Sequence, residues 1–261
     1  MPELPDVEIF RRIIDDTSLN RTIERCRVLD AGILESVSKT KIQSELKGNA
    51  FEETARYGKY ALARLKKGEW MTLHFGMTGF VTFVQAEDGM PKHVRLLIDF
   101  DGENHLAYDC TRKLGKIGWT KDIDTFVKKK KLGVDALDVT YDAFQKMLAE
   151  NRSGVKSFLM KQNTLCGIGN VYSDEVCFQA RIHPQKETNG LDKKESRKLY
   201  ESMKSVLETA IERRADPEKM PEKFLISHRK EDADCPGCNG KVHRIKISGR
   251  SAYYCPACQK S

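Results

Sequence analysis

Four cysteines near the C-terminal end carry the most specific chemistry in this 261-residue chain. Cys235-Pro-Gly-Cys238 is followed, sixteen residues later, by Cys255-Pro-Ala-Cys258. Each C-x-x-C knuckle presents two thiolates to one face, and two knuckles close a tetrahedron, which is the spacing of a four-cysteine zinc site. Four thiolates leave no coordination position for water, so a single zinc ion here would be structural. The last 27 residues hold little apolar material, and metal binding would supply their folding free energy. A redox motif or a pair of disulfides are the other readings of the same pattern. Cys26, Cys110, Cys166 and Cys177 lack such spacing and read as buried free thiols.

Between the knuckles, "NGKVHRIKISGRSAYY" reads as a basic hairpin with Arg250 beside Gly249 at its tip, suited to delivering a cation to a phosphate. A second candidate is "QNTLCGIGNVYSDE", where Gly167 and Gly169 join two helices and Asn170 is placed to cap the following one. Exposed amides at a helix start bind anions. A tight turn between helices is the blander reading. A third is the opening "MPELPDVE". Proline in a first turn and carboxylates at the positive end of a helix account for Pro5, Asp6 and Glu8. They leave Pro2 and Glu3 unexplained.

The elements that must hold these residues change character along the chain. A first helix is expected from about residue 6 to 16, then a hundred residues of short strands. "WMTLHFGMTGFVTFV" alternates around a glycine turn and reads as a hairpin, as do "HVRLLIDF" and "HLAYD" around "DGEN". Lys128–Lys131 with "LGVDALD" reads as a solvated linker. Beyond it, helices are expected in "TYDAFQKMLAEN" with Thr140 as cap, in "SGVKSFLMKQ", in "NVYSDEVCFQARI", and along "DKKESRKLYESMKSVLETAIERR".

A hydrophobic fraction of 39% with 32% charged residues describes a soluble folded protein. No apolar run reaches the roughly 20 residues of a membrane helix. The acidic start does not resemble a secretory signal, so a reducing intracellular compartment is expected. Net charge is +7. Residues 1–150 carry 24 Lys+Arg against 24 Asp+Glu, and residues 151–261 carry 21 against 14. The basic half suggests a polyanion, nucleic acid above all.

Taken together, "PELPDVE", "RYGKY", "HFGMTG", "GIGNVYSDE" with "RIHP", and "GRSAYYCPACQK" resemble the formamidopyrimidine-DNA glycosylase and endonuclease VIII family, end to end and in the family's order. The resemblance implies an α+β fold with three parts. Residues 1–131 would form an N-terminal antiparallel β-sandwich with flanking helices. Residues 132–234 would form a helical helix–two-turns–helix domain, and 235–261 a four-cysteine zinc finger. It implies a monomeric bifunctional glycosylase and lyase on damaged double-stranded DNA in a prokaryotic cytoplasm. A small residue after Met1 permits methionine removal, and an α-amino group titrates near 7.7–8.0, so part of a freed Pro2 amine would be unprotonated at neutral pH.

By resemblance Pro2 is the nucleophile and Glu3 its acid/base partner. Lys59 contacts the phosphate beside the lesion and assists elimination, Met77 fills the gap left by the flipped base, and Arg112 faces the opposite base. Lys156 and Asn170 contact phosphates, Arg250 is the zinc-hairpin arginine aiding the second elimination, and Cys235, Cys238, Cys255 and Cys258 hold zinc. The chain departs from the family in three places. Asp6 replaces a usual glutamate, which puts that carboxylate's contact inside the pocket in question. Leu114 replaces a common aromatic, and the Phe224–Cys235 segment is short for a loop that would cover a flipped base. A protein that binds damaged DNA without cutting it is the alternative reading.

Overall fold

Helix α1 spans Leu4–Ser18, two residues longer at each end than the sequence suggests. It starts at Glu3, whose backbone is extended, and buries Leu4, Pro5, Val7 and Ile14. The structure, a computed structural model, describes every residue except Lys67, Glu87, Asp88 and Ser261. The described chain divides into two compact units, Met1–Lys131 and Leu132–Ser261.

In the first unit α1 is followed by β1 (Ile23–Val28), α2 (Lys39–Leu46), β2 (Phe51–Tyr57), β3 (Tyr60–Leu65), β4 (Trp70–His74) and β5 (Gly79–Gln85). Then come β6 (Val94–Phe100), β7 (Asn104–Cys110), β8 (Lys116–Thr120) and α3 (Ile123–Lys130). Two four-stranded sheets form, ordered β1-β6-β7-β5 and β2-β3-β4-β8. Every pair in both is antiparallel. Apolar side chains of both sheets, α1 and α2 share one core, including Val7, Ile14, Ile42, Leu73, Phe75, Ile98, Phe100 and Tyr108. Apolar burial of this kind, at roughly 25 cal/mol per Å², is what holds a sandwich together.

Two expectations are corrected here. β4 and β5 do not pair: β4 lies between β3 and β8, and β5 lies beside β7 in the other sheet. In "WMTLHFGMTGFVTFV" β4 is buried from Trp70 to Leu73 and β5 is only partly buried, and the glycine turn between them is a crossing between sheets, not a hairpin. The division between the units falls within the expected linker, after Lys131, but the Lys128–Lys131 run itself ends a helix. Lys128–Lys130 form the last turn of α3, where cations suit the negative end of the helix dipole, and Lys131 caps it in the left-handed conformation. The "DGEN" hairpin between β6 and β7 forms as expected.

The second unit comprises β9 (Val134–Asp135), α4 (Tyr141–Glu150), α5 (Val155–Leu159), β10 (Leu165–Cys166), α6 (Asn170–Ala180) and α7 (Lys193–Glu212), then β11 (His243–Ile247) and β12 (Arg250–Tyr254). Thr140 caps α4 through the Ala143 amide, as read. Asp192 and Glu195 form a capping box at α7. Helix α5 is only five residues long, and β10 pairs in parallel with β9 beneath the turn that leads to α6. The molecule is thus α+β: antiparallel sheets first, helices second, and a four-cysteine hairpin last.

Divided at the structural boundary, the charge is less lopsided than the sequence halves suggest. The first unit holds 23 Lys+Arg against 20 Asp+Glu, the second 22 against 18. The neutral half was an effect of where the chain was cut.

Candidate active site and nucleic-acid contacts

In the first unit the candidate groups are gathered by α1 and the strands it packs against. Met1 is exposed, Pro2 half-buried and Glu3 buried. The Asp6 carboxylate accepts a hydrogen bond from the Glu3 amide at 2.8 Å, which fixes the backbone at the start of the helix. Burial pushes the Asp6 carboxyl up to about 6, and the charge of Glu3 adds to the rise against the pull of that hydrogen bond.

Two residues further along α1, Glu8 reaches toward the next candidate. Burial pushes its carboxyl up, but hydrogen bonds from Arg11 and Arg12 and the nearby Arg56 charge more than offset this and hold it below the usual range. Arg56 Nε lies 3.5 Å from Glu8 Oε2, and Arg56 Nη1 donates to the Gly58 carbonyl at 3.2 Å. Gly58 and Lys59 form the two-residue turn between β2 and β3, closed by the Tyr57–Tyr60 pair. Gly58 has φ +55°, a conformation glycine adopts at no steric cost. The chain Glu8–Arg56–Gly58 therefore ties the Lys59 turn to the helix that carries Pro2 and Glu3.

His74, inside "HFGMTG", was missed by sequence reasoning and could have been found from that motif. It pairs with Tyr60 across β3 and β4, with ring centroids 4.8 Å apart. Burial, then the charges of Lys59 and Lys130, pull its imidazole down to about 4. It is neutral at pH 7.

Met77 and Arg112 sit on neighbouring loops. Gly76 has φ +59°, and a Cβ there would stand 2.5 Å from the Gly115 nitrogen and the Leu114 carbonyl carbon. The Gly76–Met77 turn and the Arg112–Gly115 loop thus touch backbone to backbone. Thr78 Oγ1 accepts from the Arg112 amide at 3.2 Å. Met77 and Leu114 are 42% and 50% exposed, an apolar pair presented to solvent on loops that Phe75, Tyr108 and Cys110 anchor in the core. Arg112 is exposed beside them.

In the second unit Asn170 is the first helical residue of α6, and Gly169 takes the cap position in place of the expected Asn170. Lys156 requires a larger correction. Its ammonium is fully buried and donates to Asp174 Oδ1 at 2.6 Å, Ser173 Oγ at 3.0 Å and the Asn170 carbonyl at 3.0 Å. A phosphate cannot reach it there, and its partner Asp174 lies on another helix, outside any local pattern. Arg250 opens β12 beside the Ser248–Gly249 turn and is exposed. Its guanidinium reaches Met160 Sδ at 3.9 Å, and Ser248 Oγ lies 3.3 Å from Ser157 Oγ. The hairpin tip thus rests on α5 and its C-cap, and the same short helix grips the start of α6 through Lys156.

The four candidate ligands converge. Their Sγ atoms all lie within 4.8 Å of one another, with Cys235–Cys258 and Cys238–Cys255 each at 3.7 Å. A tetrahedral ion bound at about 2.3 Å to sulfur needs sulfurs about 3.8 Å apart, so the set fits a metal ion. The amides of Gly237 and Gly240 donate to Cys235 and Cys238 sulfurs at 3.4 and 3.3 Å, as suits thiolates. Buried Gln259 docks this end, accepting from the Cys255 amide at 2.9 Å and donating to the Ile182 carbonyl at 3.0 Å. Phe178 and Leu225 supply apolar cover that the cysteine segment lacks.

The short Phe224–Cys235 segment forms no long loop. Phe224 and Leu225 are buried, a single helical turn covers Ile226–His228, and the Ile226 amide donates to Glu175 Oε2 at 2.8 Å.

A sequence profile described as the formamidopyrimidine-DNA glycosylase N-terminal domain matches residues 1–117, and one described as the H2TH domain of the same glycosylase matches 132–221. The formamidopyrimidine-DNA glycosylase of Haemophilus influenzae is 31% identical over all of this chain and 99% of its own. That of Mycoplasma genitalium is 30% identical over all of this chain and 96% of its own. A solved complex of Lactococcus lactis Fpg with DNA containing an abasic site superposes with a TM-score of 0.89 at 26% identity, covering 99% of this chain and all of that one. A structure of MutM with DNA containing carbocyclic 8-oxo-G gives 0.88 at 25%, covering both chains fully. The chain belongs to the formamidopyrimidine-DNA glycosylase family of DNA glycosylases.

Proposed function

We propose that this protein is a DNA glycosylase of base excision repair that also cleaves the strand, through a Schiff base at Pro2. Once Met1 is removed, the Pro2 nitrogen is a secondary amine. Its lone pair attacks C1′ of the damaged nucleotide, and the C1′–N bond breaks with its electron pair leaving on the base, which takes up a proton. Glu3 protonates O4′ as the sugar ring opens, giving a cationic iminium between Pro2 and C1′. Loss of a C2′ proton then expels the 3′ phosphate, and a second elimination, aided by Arg250, expels the 5′ phosphate. Hydrolysis of the iminium frees the amine.

The observation that carries this reading is the ordered start of the chain, with Pro2 half-buried and followed at once by the buried, backbone-anchored Glu3. Lys59 and Arg112 serve as cations toward DNA, and Asn170 and Arg250 as phosphate contacts. Met77 with Leu114 fills the stack when the lesion is everted. Zinc in the Cys235, Cys238, Cys255 and Cys258 set holds the Arg250 hairpin rigid and takes no part in the reaction. The solved complexes of similar proteins with DNA containing an abasic site or carbocyclic 8-oxo-G support damaged DNA as substrate.

Separate assays of base release and strand cleavage, on a panel of duplexes with oxidised purines or pyrimidines, test the proposal. Release and cleavage of at least one lesion are expected. Tight binding with neither would favour the non-catalytic alternative.

A further inference from the structure

The cluster around Lys156 contains a third charge that ion pairing alone does not require. Lys156 and Asp174 are both fully buried and already neutralise one another. Arg229 nevertheless joins them, donating to Asp174 Oδ2 from Nη2 at 2.8 Å and from Nε at 3.2 Å. The same Nη2 lies 3.4 Å from the Asn170 carbonyl, which Lys156 also holds. Two cations thus converge on the first peptide of α6, leaving a net positive charge beneath a helix end of the same polarity. Such an excess is unfavourable on its own, and an anion at the helix start would offset it.

Arg229 also faces the zinc hairpin. Its guanidinium carbon is 5.1 Å from the ring centroid of Tyr253. Tyr253 lies on β12 between Arg250 and Cys255. A planar fork that pairs with a carboxylate, reaches a carbonyl and stacks on an aromatic face is a role lysine cannot fill.

We propose that Arg229 is a positioning residue. Held between Tyr253 and the Asp174–Lys156 pair, it sets the Asn170 end of α6 relative to Arg250, so that the two act on phosphate as one site. This rests on the reading of Asn170 and Arg250 as phosphate contacts.

The test is a double-mutant cycle. Wild type, Arg229→Met, Arg229→Lys, Asn170→Ala and the Asn170→Ala/Arg229→Met double variant are titrated, at one salt concentration, with a duplex carrying a tetrahydrofuran abasic analogue. Zinc content and Tm are measured for each. Arg229→Met should weaken binding about tenfold, the scale of a lost charge-assisted hydrogen bond. Arg229→Lys should recover only part, and the double variant should bind no worse than Asn170→Ala. Single losses that multiply in the double variant would overturn the proposal. So would unchanged binding by Arg229→Met, or binding losses in both Arg229 variants that simply track lost zinc or lost folded protein. A wild type that ignores the duplex would instead overturn the underlying DNA reading, before any substitution is compared.

Discussion

The carboxylate of Asp6 holds the backbone amide of Glu3, the candidate acid/base group, at 2.8 Å. The Asp6 side chain makes this local bond from the first turn of α1, as one half of a capping box with Glu3. Asp6→Ala should cost about 1 kcal/mol of stability, as loss of a helix N-terminal acceptor does. It should lower the single-turnover rate several-fold with little change in DNA affinity, while Asp6→Asn keeps most of both. Equal losses in rate and affinity would place Asp6 in binding instead.

Gly76 is where the Met77 turn meets the Arg112–Leu114 loop. Its φ of +59° and the backbone 2.5 Å from a would-be Cβ leave no room for alanine. Gly76→Ala should destabilise the protein by about 1–3 kcal/mol and displace both loops. Calorimetry would record the lower Tm, and lesion excision should fall further than binding to undamaged duplex. A wild-type Tm would contradict the packing described.

Burial pushes the Glu175 carboxyl up to about 7, while hydrogen bonds from Gln179 and from the Leu225 and Ile226 amides pull it down. Its ordinary value is 4.5. Between those values the folded chain binds more protons here than the unfolded chain does. This contribution to stability is therefore full below the lower value and lost as pH rises through the upper one. Over that window it amounts to about 3 kcal/mol. Glu175→Gln removes the titration, so its Tm relative to wild type should climb from pH 4.5 to pH 8. Parallel Tm curves would refute the shift.

One zinc per chain is expected by metal analysis. Chelation, verified by loss of the metal, should unfold the Asp234–Lys260 end and weaken DNA binding at least about tenfold, since the metal supplies that segment's folding energy. The antiparallel sheets should keep their circular dichroism. DNA binding that survives verified chelation would separate the hairpin from DNA.

What the sequence disclosed was whatever depends on local spacing. The cysteine knuckles, the Thr140 cap and the β6–β7 hairpin are each set by residues a few positions apart, and each forms as its local spacing predicts. Pairings made at a distance were not legible. Nothing in the alternation of β4 and β5 tells which sheet each joins. Lys156 reads as an exposed cation until Asp174, eighteen residues on, is seen to bury it. His74 gave no signal beyond its place in a motif, because its low proton affinity comes from burial and from Lys59 across the strand pair.

The central claim is tested most directly by trapping with borohydride. Mature protein beginning at Pro2, mixed with a lesion-bearing duplex and sodium borohydride, should yield a covalent protein–DNA adduct whose mass places the sugar on the N-terminal proline. Pro2→Gly should lose most of it, and a form retaining Met1 all of it. A correctly processed protein that releases the base yet yields no adduct, or an adduct mapped to a lysine such as Lys59, would contradict the account.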